Sequence, residues 1–222
     1  MQEMGIEIIK SSGEKMLFSL DKLRKSLKHS GADHNLVEQI VSKVKEELYE
    51  GITTNEIYNR AYAILKKNKS VFASKYKLKK AIYELGPTGF PFERFVAAIL
   101  SYSGYQTSVN QHLNGNCVNH EIDVIAEKNN TTTIIECKFV GLYLLSWDFP
   151  KNEGLKDRID RLSLYPITVS TLLTNREKQF ILSRDIVLCR QLWKNKFLLD
   201  HLGISNLRKK RILDELNQLC NS

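Results

Sequence analysis

No apolar run in this 222-residue chain is long enough to read as a membrane span, so a bilayer-embedded class is excluded. The opening residues Met1-Gln2-Glu3-Met4-Gly5 lack both a basic n-region and an apolar h-region, so no secretory signal is expected. Cysteines number 4, at 117, 137, 189 and 220, and no two form a Cys-x-x-Cys pair. That spacing argues against a zinc ribbon and fits reduced thiols in a cytoplasmic protein. Prolines also number 4, and Pro87 and Pro91 fall together in Gly86-Pro87-Thr88-Gly89-Phe90-Pro91, which should break helices and mark a linker. Acidic residues are outnumbered, 25 against 33 Lys and Arg, for a formal net charge of +8. Residues 1–85, 86–140 and 141–222 carry +5, −2 and +5. A slightly acidic centre between two basic flanks suits a protein that holds cations centrally and a polyanion on either side.

With 42% hydrophobic and 26% charged residues, the chain can bury a core, and its pattern reads as α+β. Three regions are expected: 1–85, 86–150 and 151–222. The first opens with a hairpin, a strand Ile6 to Lys10, a turn at Ser11-Ser12-Gly13-Glu14 and a strand Met16 to Phe18. Ser19 can cap a helix running to about Ser30, with Leu20, Leu23 and Leu27 on one stripe. A second helix should span about Asn35 to Tyr49. A third should start at Thr53, whose spacing to Glu56 makes a capping box, and a basic helix should follow from Val71 to Leu85. Between Arg60 and Lys80 the cations are uninterrupted by any acid.

This order, carried by Ile9-Lys10-Ser11-Ser12-Gly13, Phe18, Asp21-Lys22-Leu23 and Gly51-Ile52-Thr53-Thr54-Asn55-Glu56-Ile57, resembles the ATP-cone, a small, mostly helical nucleotide-sensing domain with a hairpin. The resemblance implies ATP or dATP as an effector, contacted by Lys10, Lys22 and Thr54. Lys22 falls in the first turn of a helix, where the dipole also favours anions. Ser11 stands where the family usually has arginine. A zinc-ribbon repressor built on the same domain is disfavoured by the cysteine spacing.

In the central region, Pro91 to Leu100 reads as an amphipathic helix, followed by Gly104-Tyr105, a strand near Gln106 to Val109, a strand in His120-Glu121-Ile122-Asp123-Val124-Ile125 and a strand Thr132 to Ile135 that runs into Glu136-Cys137-Lys138. Alternation along that strand would put Glu136 and Lys138 on one face. Asp123 and Glu136 are hard oxygen ligands suited to Mg²⁺, and Lys138 beside them could orient a water or offset charge developing on phosphorus. Helix, strand, strand with Asp, strand with Glu-x-Lys is the order of the PD-(D/E)xK nuclease core, and Phe-Glu-x-Phe-Val before Gly-Tyr is similar to its Mrr-type restriction branch. The resemblance implies a mixed sheet, Asp123 and Glu136 as metal ligands, Lys138 as the catalytic lysine and Glu93 as an extra acid from the helix.

That core normally continues into a crossover helix. Here Phe139-Val140 runs from Lys138 directly into Gly141-Leu142-Tyr143-Leu144-Leu145-Ser146-Trp147, an apolar stretch that reads as a buried strand and leaves no room for a crossover. An internal segment is therefore expected to be missing between Lys138 and Gly141, with the sheet incomplete. Beyond Pro150 the chain reads as short helices at 155–162, 168–172, 175–183, 196–202 and 206–219, with Trp147 and Trp193 as core residues. Ile186 to Cys189 and His201-Leu202-Gly203-Ile204-Ser205, followed by Arg208, Lys209, Lys210 and Arg211, resemble a helix-hairpin-helix element that binds DNA through its phosphates. The expectation for the whole is an ATP-regulated, Mg²⁺-dependent DNA endonuclease, homo-oligomeric and cytoplasmic. The alternative is an ATP-responsive DNA-binding or assembly protein whose nuclease core is impaired.

Overall fold

A computed structural model describes residues 3–86, 90–114, 119–137, 148–149 and 153–221. The chain divides into two compact units, Met1–Lys77 and Leu78–Ser222. The division falls ahead of the Gly86 to Pro91 punctuation. Helices and small sheets are both present, an α+β architecture, and among the described residues no helix is long and apolar enough to cross a membrane.

The first unit starts with the antiparallel pair β1 (Glu3–Ile9) and β2 (Lys15–Ser19). The hydroxyl of Ser19 accepts the N–H of Lys22 and starts α1 (Leu20–His29), which buries Leu20, Leu23 and Leu27 on a stripe of helical period. Asp33 caps α2 (His34–Glu46) by accepting the Leu36 N–H at 2.9 Å. The two-residue β3 (Ile52–Thr53) pairs parallel to β1, Ile8 opposite Ile52 and Ile9 opposite Thr53. The hydroxyl of Thr53 accepts the Glu56 N–H at 3.1 Å, and the Glu56 carboxylate accepts the Thr53 N–H at 3.2 Å, so the expected capping box opens α3 (Thr54–Asn68). Ile8, Leu27, Val37, Ile40, Ile52 and Leu65 pack in one apolar core. The basic segment expected as one helix from Val71 to Leu85 is two, α4 (Ser70–Tyr76) and α5 (Leu78–Tyr83). Lys77 between them takes φ −76° and ψ −7°, too shallow a ψ to continue the helix.

In the second unit, α6 (Phe90–Tyr102) buries Phe92, Phe95, Val96, Ile99 and Leu100 and packs on β4 (Gln106–Asn114) and β5 (Asn119–Lys128). Gly104, at φ +84°, ends the helix: its N–H donates to the Ser101 carbonyl at 3.0 Å and that of Tyr105 to Leu100 at 3.1 Å, a Schellman termination. Among the described residues the third strand of this sheet is β6 (Thr131–Ile135), in the order β4-β5-β6. Asn129 and Asn130, both at positive φ, form the two-residue turn from β5 to β6. Both pairings are antiparallel, so within the described residues the expected mixed sheet is an antiparallel meander. The apolar stretch from Gly141 to Trp147 and its expected strand lie outside the described residues.

Further on come the short pair β7 (Asp148–Phe149) and β8 (Glu153–Gly154) and then α7 (Leu155–Leu162), which has the bounds its sequence implied. The helix expected over 168–172 is instead a 3₁₀ turn, Ile167–Val169. The buried carboxylate of Glu215 accepts the Ser170 hydroxyl at 2.5 Å and the Thr171 N–H at 2.9 Å, drawing those residues out of helical register. Thr174 and Glu177 form a capping box for α8 (Asn175–Leu182). The Ile167 N–H donates to the Val187 carbonyl at 2.8 Å and the Cys189 N–H to Tyr165 at 2.9 Å, making a short clasp. It leads into α9 (Cys189–Lys194), a helix that the sequence pattern did not predict. A 3₁₀ helix, Lys196–Leu202, ends at Gly203 (φ +63°) and gives way to α10 (Asn206–Cys220), which packs on α9. Trp193 is half-buried, not a core residue, and Trp147 lies outside the described residues.

Candidate functional site

Three elements of the second unit, α6, β5 and the end of β6, carry Glu93, Asp123 and Glu136. Val109 pairs with Val124 and Gln111 with Ile122, so Asp123 lies across from Asn110, which breaks β4 with φ +51°, a conformation asparagine tolerates better than most side chains. Glu136 follows the last residue of β6. Sequence alternation implied that Glu136 and Cys137 continue the strand, but β6 ends at Ile135. The Cys137 N–H leaves the ladder and donates to Oδ2 of Asp123 at 2.5 Å. Glu93, in the first turn of α6, has its carboxyl held above the ordinary range, first by burial and then by the negative charges of Asp123, Glu121 and Glu136, with Arg94 opposing. Glu93 thus lies within electrostatic reach of Asp123 and Glu136, and Glu121 is added to the set. Glu121 lies two residues before Asp123, hence on the same strand face, and that alternation was the available sequence signal. Arg94 is ion-paired with Asp185. Lys138 lies outside the described residues.

As a cation site this set is open. Among the described residues no three His, Cys, Asp or Glu side chains come together as a metal-holding group. Of the two acids expected to hold Mg²⁺, Asp123 already accepts the Cys137 N–H through Oδ2.

The same carboxylates act on Cys137. Burial, followed by Asp123, Glu93 and Glu136, pushes its thiol up to about 12. Near pH 8 it should hold roughly a thousandfold less thiolate than an ordinary cysteine. Iodoacetamide labelling of the native protein, mapped by mass spectrometry, should leave Cys137 almost unmodified, and Asp123→Asn should speed its labelling. Labelling at the rate of a free thiol would contradict this electrostatic picture.

In the first unit, the parallel pairing of Ile9 with Thr53 brings Lys10 and Thr54 to neighbouring strand ends. Lys10 is ion-paired with Glu14 at 2.8 Å. Lys22 follows the other end of the hairpin, where Ser19 pairs with Glu3, so its position is set by α1 and not by that register. Thr53 is accounted for by its capping box, leaving Thr54 as the threonine open to another role. Tyr58, one helical turn beyond Thr54, stacks on Tyr62 and Tyr76 with ring centroids 6.0 and 5.1 Å away, tying α3 to α4. Burial pushes the Tyr76 hydroxyl up to about 12.

The basic run at the start of α10 is partly committed to the fold. Arg208 donates to both oxygens of Glu177, each at 2.6 Å, and to the Leu172 carbonyl at 2.8 Å. Lys209 is ion-paired with Asp200, whereas Lys210 and Arg211 are exposed. Replacing Arg208 with alanine should cost about 1.5–3 kcal/mol, the range for hydrogen bonds to charged groups. The Glu177 carboxyl is held below its ordinary range, first by Arg208, so this stabilisation is present above the unfolded carboxylate pKa and lost as pH falls through the lower folded value. Thermal melts should therefore separate wild type from Arg208→Ala most at neutral pH, the gap narrowing in strong acid to what the Leu172 carbonyl bond contributes.

Comparison with known proteins assigns both ends of the chain. Residues 6–84 match the ATP cone domain and residues 165–220 match the family described as AF1548-like, C-terminal. The chain thus carries an ATP-cone, a domain type that binds nucleotide effectors such as ATP and dATP. The second match begins at the Tyr165 clasp and covers α8, α9 and α10. An uncharacterized protein of Archaeoglobus fulgidus is 25% identical over 174 residues, covering 56% of this chain and 99% of the relative. Because 56% of 222 residues falls short of 174, the relative has residues between the matched ends with no counterpart here. A crystal structure of the protein of unknown function AF1548 is 21% identical, with a TM-score of 0.46 and coverage of 59% of this chain and 97% of its own.

Proposed function

We propose that the chain is an ATP-regulated, Mg²⁺-dependent DNA endonuclease with three working regions: the ATP-cone in residues 1–85, a PD-(D/E)xK-type core in 86–150 and a helical DNA-contacting region in 151–222. The observation that carries this reading is that Glu93 on α6 feels the negative charges of Asp123 on β5 and Glu136 at the end of β6. A divalent cation held by Asp123 and Glu136 would supply Lewis-acid polarisation of a phosphoryl oxygen. Around it, Asp123 fixes the backbone at Cys137 through the 2.5 Å hydrogen bond and so sets where Glu136 stands. Glu93, whose carboxyl is held above the ordinary range by burial and by its acidic neighbours, is assigned the extra acid of the site. Lys138 is assigned the compact cation that offsets charge on phosphorus, and Lys210 and Arg211 the phosphate contacts of the C-terminal region. Lys10, Lys22 and Thr54 are assigned to the nucleotide, whose binding would shift a homo-oligomeric assembly between states of different affinity.

Incubating the full chain with supercoiled plasmid and Mg²⁺, beside Asp123→Ala, tests this: nicking by wild type alone supports the site, and equal conversion by both proteins excludes it. A second reading is favoured by the residues present in the Archaeoglobus fulgidus relative and lacking here. If they correspond to the crossover expected after Lys138, the core is degenerate, and the chain is an ATP-responsive DNA-binding or assembly protein. It then binds DNA in a salt-sensitive way and cleaves none in Mg²⁺.

A further inference from the structure

A cleft of about 620 Å³ opens in the second unit at the end of the sheet formed by the β5–β6 turn. Its walls come from the C-terminus of α6, from Lys128, Asn129, Thr131 and Thr133 around that turn, and from Arg158, Arg161 and Leu162 of α7. Among the described residues, three cations, Lys128, Arg158 and Arg161, line it and no acid does. Arg158 is only 6% exposed, so one of those charges is built into the wall. Burying a cation is costly unless something compensates it, and Arg158 and Arg161 both also interact with the surrounding protein. Lys128 is held by the Ser103 carbonyl at 2.9 Å and stands 4.8 Å from the centre of the Tyr105 ring. A Cβ on Gly104 would come within 3.3 Å of the lysine nitrogen, so the glycine that ends α6 also leaves room for the amine. Behind this lining, Arg190 and Lys194 lie 5.6 and 5.9 Å from the Tyr102 ring, adding positive field to the same end of the unit.

We propose that this cleft binds the phosphate of a nucleotide unit, free or within a nucleic-acid strand. Fixed cations with the hydroxyls of Thr131 and Thr133 suit a multiply charged oxyanion, since guanidinium groups match phosphate oxygens in a planar fork and hydroxyls complete the set. The volume exceeds what a bare phosphate fills and lies in the range of small-molecule sites, and Tyr102 and Tyr105 in the lining suit the sugar and base that come with the phosphate. The site does not depend on the carboxylate cluster, so its binding is measured with EDTA present, where failure of cleavage cannot affect the result.

The experiment is fluorescence anisotropy of a short fluorescein-labelled single-stranded DNA titrated with the full chain, for wild type, Arg161→Ala and Thr133→Glu. Thr133 is exposed on β6, so its substitution leaves the core untouched, and circular dichroism melts verify folding of each variant. Both variants should weaken binding on the order of tenfold and lower the salt dependence relative to wild type. Competition by thymidine monophosphate, chosen to avoid the adenine effector, distinguishes the sources: displacement means that a free nucleotide suffices, and no displacement means that a strand is required. Wild-type affinity in both folded variants, or no binding of either probe by wild type, would overturn the proposal.

Discussion

Glu215→Ala is expected to lower the melting temperature by roughly 10 °C, as measured by calorimetry or circular dichroism. Glu215 is 2% exposed and accepts the Ser170 hydroxyl at 2.5 Å, the Thr171 N–H at 2.9 Å and the Thr171 hydroxyl at 2.7 Å. Alanine would leave those donors without their acceptor and open a void beside Ile212 and Leu216 of the same helix. An unsatisfied buried donor costs about 1–3 kcal/mol and such costs are not additive, so about 3 kcal/mol or more is expected for the set. For a chain of this size each kcal/mol moves the melting temperature by about 2–4 °C. Glu215→Gln should recover part of the loss, because its amide oxygen still accepts. A shift of less than about 2 °C for the alanine variant would mean that α10 and the Ser170 turn are not held by this carboxylate.

Asp123→Ala is expected to reduce Mg²⁺-dependent nicking by at least about a hundredfold. On the proposed reading two effects combine: a hard oxygen ligand would be lost, and the Cys137 N–H loses the acceptor that fixes the backbone beside Glu136. A displacement of about 1 Å in a reacting centre can by itself cost on the order of a hundredfold. Asp123→Asn separates the two, since its amide oxygen can still accept from Cys137 while its charge is gone. It should remain well folded, lower the Glu93 carboxyl toward its ordinary range by removing a negative neighbour, and stay inactive. Nicking by Asp123→Asn at the wild-type rate would show that the carboxylate charge has no part in the chemistry.

Local rules were the part of the fold most legible in the sequence. The Thr53–Glu56 capping box, the Ser19 cap and the Leu20, Leu23, Leu27 stripe each depend on residues a turn or two apart, and all are found. The bounds of α7 follow from the same short-range pattern. Elements that depend on distant partners were hidden. The 3₁₀ turn at Ile167–Val169 replaces a helix because Glu215, far along the chain, takes the Ser170 and Thr171 donors. Arg208 reads as a DNA contact within a basic run, yet Glu177 and the Leu172 carbonyl hold it. At the candidate site, Asp123 and Glu136 were visible as acids on successive strands. The hydrogen bond from Cys137 to Asp123 and the field that Glu121 adds at Glu93 arise only when β5, β6 and α6 come together.

The most direct test of the account is the initial rate of plasmid nicking by the full chain at fixed DNA and Mg²⁺ as ATP is titrated, with Lys10→Ala run in parallel. The account predicts a rate that changes saturably with ATP for the wild type, with the midpoint displaced or the response abolished in Lys10→Ala. A nicking rate that stays flat across the titration, or the absence of any Mg²⁺-dependent nicking with and without ATP, would contradict it.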